Sequence, residues 1–156
     1  SPIVTTTATV TRNADSLTYQ TSGNIDFATG TAYCGLRLAS SVYGGFALSC
    51  TANGRLIYSY VNDTRIANYD GVNVAYDTPS AYTSGRPLKI VSTWGGVTKS
   101  IGVDGRSPVS SAFDGSIGSG ATIDVGGGTS AGPAYIGPVA IYNYKMTDAE
   151  LQGITA

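Results

Sequence analysis

The chain reads as an all-β protein: an antiparallel β-sandwich of many short strands with one short helix at its C-terminal end. Two observations predict this. Turn dipeptides recur at short intervals (Asn53-Gly54, Asp70-Gly71, Gly95-Gly96, Asp104-Gly105 and Asp114-Gly115), each of a kind that accepts positive φ in a tight hairpin. The composition leans toward strand and turn formers, with 21 glycines and 11 tyrosines, and away from Glu, Lys and Leu. At 156 residues with no internal repeat and no linker, one domain spanning residues 1–156 is expected.

The strands follow from the runs between the turns. Thr5 to Thr11, Thr31 to Leu38, Gly45 to Thr51 and Arg55 to Val61 come first. Val72 to Tyr76, Leu88 to Trp94, Val97 to Val103, Ala121 to Val125 and Ala134 to Tyr142 follow. Short strands at this spacing belong to a sandwich or barrel. Ser107 to Gly132 is rich in Gly and Ser and reads as loop with one strand inside it. The helix starts at a capping box, Thr147-Asp-Ala-Glu150, with Thr147 as N-cap and Glu150 reaching back, and Gly153 is expected to end it.

Two hairpins can be put in register. A two-residue turn at Asn53-Gly54 sets Cys50 against Ile57, Leu48 against Ser59 and Phe46 against Val61, and that face should be core. The opposite face then carries Ala47, Ser49 and Thr51 beside Leu56, Tyr58 and Tyr60. A turn at Gly95-Gly96 sets Leu88 against Val103 and Ile90 against Ile101, with Trp94 at the hairpin end on the core side, beside Val97. Phe46, Leu48, Ile57, Val61, Ile90, Ile101, Val139 and Ile141 are the expected core.

The composition also excludes chemistry. There is no histidine, which removes Ser-His-Asp and Cys-His catalysis and the usual zinc sites. Charged residues are 12% and the net charge is −1, so no basic excess exists to neutralise a phosphate backbone and nucleic acid is not an expected partner. No apolar run approaches the 18 or so residues of a membrane span, and no signal-peptide pattern is read at the start. The opening Ser1-Pro2 suggests a domain cut from a longer chain.

The C-terminal run Tyr135-Ile-Gly-Pro-Val-Ala-Ile-Tyr-Asn-Tyr-Lys-Met-Thr-Asp-Ala-Glu-Leu151 resembles the closing motif of laminin G-like, concanavalin A-like jelly-roll domains. Leu88 to Gly105, ending in Val103-Asp-Gly105, resembles their central hairpin. Val10-Thr-Arg-Asn-Ala-Asp-Ser-Leu17 resembles the start of such domains in phage tail-associated proteins. The resemblance implies one complete jelly roll. It does not imply one function, because the fold hosts lectins, binding modules, glucanases and structural heads.

Catalysis finds little support in the residues. Retaining glycosidases on this fold carry a Glu-x-Asp-x-Glu strand, and this chain has a single glutamate, Glu150, already assigned to the helix cap. Asp pairs remain, such as Asp63 with Asp70. The chain is therefore expected not to be an enzyme, an atypical glycoside hydrolase being one alternative.

Sugar binding fits better. A sugar offers an apolar C–H face and a rim of hydroxyls, which call for aromatic platforms beside polar groups. Setting Cys34 opposite Cys50 on adjacent strands puts Tyr33 and Arg37 on the same face as Tyr58 and Tyr60. The polar loop Asn62 to Asn73 adjoins it with Asn62, Asp63 and Arg65. Trp94 is either a further platform or a plug in the end of the core. The bland alternative for the tyrosines is that another layer covers them. Asp63 and Asp70 are candidate ligands for calcium, against plain turn chemistry; no other cofactor is expected. Cys34 and Cys50 either bridge neighbouring strands or stay as buried thiols.

The expected function is a non-catalytic carbohydrate-binding domain for a polysaccharide or cell-surface glycan, carried outside the cell or on a virion as an appendage of a larger chain. The other alternative is a structural or oligomerisation head of a tail fibre without a sugar ligand.

Overall fold

A computed structural model describes residues 17–38, 45–50, 55–59, 65–77, 85–126 and 134–156. Within them the elements run β1 (Leu17–Gln20), β2 (Gly30–Leu38), β3 (Gly45–Cys50), β4 (Arg55–Ser59), β5 (Ile66–Tyr69), β6 (Val74–Asp77), β7 (Pro87–Gly95), β8 (Thr98–Val103), β9 (Val109–Ala112), β10 (Thr122–Val125), β11 (Ala134–Tyr142) and α1 (Asp148–Thr155). All strand pairings are antiparallel. They build a six-stranded sheet, β1-β10-β3-β4-β5-β6, facing a five-stranded sheet, β11-β2-β7-β8-β9. This is the antiparallel jelly-roll sandwich expected from the sequence, with its one C-terminal helix.

The core lies between the sheets. Leu48, Leu56, Ile57, Ile66 and Ile123 come from the six-stranded sheet, and Cys34, Leu36, Leu88, Ile90, Trp94, Ile101 and Val103 from the five-stranded one. A smaller cluster of Val91, Met146 and Leu151, with Tyr33 and Tyr142 against it, fixes α1 to the outer face of the five-stranded sheet. The capping box is formed as expected: Glu150 N–H donates to the Thr147 hydroxyl, and Thr147 N–H donates to the Glu150 carboxylate at 2.7 Å.

Both hairpin registers differ from expectation: the second shifts by two residues and keeps its faces, whereas the first shifts by two at Leu48 and by three at Phe46, which faces Tyr58 in place of Val61. Leu48, not Cys50, faces Ile57, with bulges between Phe46 and Leu48 and between Arg55 and Tyr58. In the second hairpin Ile90 faces Val103 and Trp94 faces Lys99, so Gly96-Val97 makes the turn and Val97 lies in solvent. Gly96 takes the positive φ of 63° that this turn needs. The bulges have a further effect. They break strict alternation, so Ala47 and Leu56, expected on the outer face, are buried in the core.

Other differences are local. The polar loop Asn62 to Asn73 contains strand β5, and the Gly- and Ser-rich Ser107 to Gly132 segment contains two strands, β9 and β10. Strand β1 also lies beyond the expected runs. Helix α1 passes through Gly153 to Thr155, whose hydroxyl donates to Leu151 O and accepts from Gly105 N–H. Val139, expected in the core, is 38% exposed, and β11 is the outermost of the described strands of its sheet. Thr5 to Thr11, the opening motif, the Asn53-Gly54 turn and Val61 lie outside the described residues, and Phe46 enters only through its main-chain register.

Candidate functional site

The outer face of the five-stranded sheet carries a groove of about 480 Å³. Its position follows from alternation along β2. Ala32, Cys34 and Leu36 are buried in the core, so Tyr33, Gly35 and Arg37 take the other face. The pairings then fill the neighbouring positions. Tyr135 of β11 and Pro87 of β7 flank Arg37, Lys89 flanks Gly35, and Val91 and Ala140 flank Tyr33.

Main chain makes the floor. Between Ile136 and Val139 the β11 register shifts, and Gly137-Pro138 forms the irregularity opposite Gly35. A Cβ on Gly35 would come within 3.3 Å of Pro138 Cδ, and one on Gly137 within 3.4 Å of the Gly35 carbonyl oxygen. Two glycines and a proline thus keep the floor flat, and any side chain at Gly35 would crowd it.

The walls are aromatic and cationic. Tyr135 is 64% exposed, and the Arg37 guanidinium lies over its ring, 4.9 Å from the centroid. Tyr33 is half-buried against the cluster that holds α1. Burial, followed by Cys34, Tyr142 and Asp104, raises its phenol pKa, so its hydroxyl keeps its proton as a hydrogen-bond donor. The Lys89 ammonium donates to the main-chain oxygen of Ala156, and Lys89 N–H donates to Asp104 at 2.8 Å. Among the described residues no carboxylate lines the groove.

Of the expected binding residues, the structure brings Tyr33 and Arg37 together here. It does not join them to Tyr58. Strand β2 pairs with β11 and β7, whereas β4 sits in the other sheet, so the single tyrosine face divides between the two sheets. The cause is the Cys34–Cys50 alignment. These cysteines are on different sheets, not adjacent strands, and both are buried free thiols. Burial pushes Cys34 up to about 12, and burial with the nearby Asp124 does the same for Cys50. Arg65 lies over the Tyr76 ring at 4.9 Å, on the six-stranded sheet. Tyr60, Asn62 and Asp63 lie outside the described residues, and of Tyr58 only the register is described.

Trp94 is the plug, not a platform. It has no exposed surface, its indole N–H donates to the Asp26 carbonyl at 3.0 Å, and a Cβ on Gly30 would sit 2.5 Å from its ring. A buried ring cannot stack on a ligand.

Asp70 is likewise structural. Its carboxylate accepts from Val72 N–H at 3.0 Å, Asn73 N–H at 2.6 Å and Asp114 N–H, and pairs with Lys99 at 3.0 Å. An ammonium already occupies the place a calcium ion would need. Among the described residues no group of three His, Cys, Asp or Glu side chains comes together as a metal site. No helix among them is long and apolar enough to cross a membrane.

Sequence reasoning missed Tyr135, Lys89 and the Gly137-Pro138 floor. Tyr135 was legible only as part of a fold motif. The signal for the floor was there: Gly-Pro inside a run of otherwise alternating strand residues marks a bulge or an edge.

No protein-family model matches the chain, and no curated protein matches it. Solved structures do match in fold. A heptameric SAP-like pentraxin from Limulus polyphemus aligns at TM-score 0.62 and 15% identity, over 83% of this chain and 70% of that one. The receptor-binding domain of botulinum neurotoxin type G aligns at 0.60 and 13%, over 81% of this chain and 37% of that one. Trypanosoma rangeli sialidase aligns at 0.58 and 16%, over 80% of this chain and 22% of that one. At such identities the likeness is one of fold, and this chain spans well under half of the toxin domain and of the sialidase.

Proposed function

We propose that the chain is a non-catalytic carbohydrate-binding domain that takes a polysaccharide or cell-surface glycan in the groove between Tyr33 and Tyr135. One observation carries this reading: two tyrosines and a stacked guanidinium stand around a floor of main chain too shallow and open for an enclosed small-molecule pocket. Tyr33 and Arg37 are four residues apart on one strand, about 13 Å at extended-strand spacing, enough to span two pyranose rings. Rings supply contact with sugar C–H faces, while the phenol and guanidinium N–H groups give direction.

The non-catalytic part of the reading is supported by what the carboxylates are doing. Glu150 closes the helix cap and Asp70 holds Lys99. Affinity per site is expected to be weak, with avidity supplied by repeated display. We place the domain outside the cell or on a virion, as an appendage of a laminin G-like type. The fold likeness to a receptor-binding domain agrees with a binding role.

The test is a glycan array probed with the isolated domain, alongside a reducing-sugar release assay. Saccharide binding that falls in Tyr33→Ala and in Tyr135→Ala, with no sugar released, is the expected result. Binding unchanged in both variants would move the site elsewhere, and release of sugar would make the protein an enzyme.

A further inference from the structure

Resting on the carbohydrate-binding reading above, we infer that the groove selects a sugar that carries a carboxylate, with Arg37 as its anchor. Among the described residues the lining holds two cations, Arg37 and Lys89, and no acid. The Lys89 ammonium is already engaged by the Ala156 oxygen, so the cation that serves as anchor is Arg37.

Arg37 also differs from other cations of the fold. Arg86 pairs with Asp104 at 2.6 Å, Arg106 with Asp77 at 2.5 Å and Lys99 with Asp70 at 3.0 Å. The Lys145 ammonium is held by Gly95 O and by the Thr98 carbonyl and hydroxyl. Arg37 makes no hydrogen bond or ion pair to any described residue; it is held by the Tyr135 ring. Held by the ring, the guanidinium has N–H donors that meet no acceptor among the described residues. Those donors form a rigid fork whose geometry matches the two oxygens of a carboxylate. The stacked ring limits the motion of the side chain, so less freedom is lost when the fork closes on its ligand.

A neutral sugar meets the same fork only through single hydroxyls. The discrimination expected between an acid and its neutral counterpart is about tenfold, the low end for hydrogen bonds to a charged group. It should shrink with added salt, because the groove is open to solvent.

The test compares oligosaccharides of several uronate backbones, trigalacturonate among them, each printed beside its methyl ester. Wild-type protein, Arg37→Gln and Tyr33→Ala are titrated against both forms at low and high salt. The expected pattern is an acid preference of about tenfold in wild type, none in Arg37→Gln, and weaker binding of both forms in Tyr33→Ala. Esters bound as tightly as acids, or an acid preference that survives Arg37→Gln, would overturn the inference and leave the carbohydrate reading standing. Binding of no saccharide, acidic or neutral, on this panel and on the wider array would overturn both.

Discussion

Lys99 and Asp70 form a fully buried ion pair, 3.0 Å apart, that joins the two sheets. Lys99 comes from β8 of the five-stranded sheet, and Asp70 from the turn between β5 and β6 of the other. The Lys99 ammonium also donates to the Asn73 carbonyl of that turn, and the Tyr69 ring centroid lies 6.0 Å from it. Burial works to raise the Asp70 pKa, but the amides of Asn73 and Val72 and the Lys99 ammonium outweigh it and hold the carboxyl below the usual range. Burial draws the Lys99 pKa down against the pull of Asp70.

Removing one member strands the other, so Asp70→Ala should destabilise the domain by about 3–5 kcal/mol. Asp70→Asn combined with Lys99→Met should recover much of that loss. Urea unfolding of the single and double variants measures both. The sign of the pH effect follows from the lowered Asp70 value. Its contribution is complete above the ordinary carboxylate pKa of about 4 and fades as pH falls through the lower folded-state value. Wild type should therefore lose stability in acid more steeply than Asp70→Asn; parallel acid limbs would contradict this.

The thiols should be silent. With their pKa pushed up to about 12 and no more than 2% of either exposed, Cys34 and Cys50 are expected not to react with Ellman's reagent at pH 8 until the protein is unfolded. Both should then titrate, and a reductant should leave the unfolding midpoint where it was. Fewer than two thiols in denaturant without reductant would reveal a covalent link.

Trp94 supplies a spectroscopic check. Its emission should be blue-shifted and resistant to iodide, and a bound saccharide should leave it unchanged. Trp94→Ala should cost about 3–5 kcal/mol, since it removes a large ring packed over Gly30. A fluorescence change that saturates with ligand would place sugar against the indole instead.

Tyr135 offers the cleanest binding variant, because 64% of it is in solvent. Tyr135→Ala should lower saccharide affinity by about tenfold, through the lost ring contact and the freed Arg37. Its melting temperature should stay within a degree or two of wild type, as for other surface changes (about ±0.5 kcal/mol). Comparable loss in Arg65→Ala would point to the six-stranded sheet.

Local patterns made the strands legible. Turn dipeptides delimit β7 and β8, alternation identifies the inward Leu36, Ile90 and Ile101, and the Thr147–Glu150 spacing locates the helix start. Strand β5 escaped because Ile66, Ala67 and Asn68 are all buried and show no alternation. Sheet membership escaped for a different reason. Periodicity says which way Cys34 and Cys50 face but not which strand lies beside either, and in a sandwich both sheets face the same core. That error left Tyr33 and Arg37 on one face. Tyr33 and Arg37 depend only on alternation within β2, whereas adding Tyr58 required knowing a neighbour across the fold.

The kink that floors the groove also governs how molecules meet one another. Among the described strands β11 is an edge of the five-stranded sheet, and an intact edge offers a row of N–H and C=O groups to any passing strand. Pro138 has no N–H to offer, and the register shift around it puts the groups on either side out of step. A second copy trying to extend the sheet at this edge would find its hydrogen-bond ladder broken midway. The same short segment that floors the groove therefore discourages extension of the sheet along this edge.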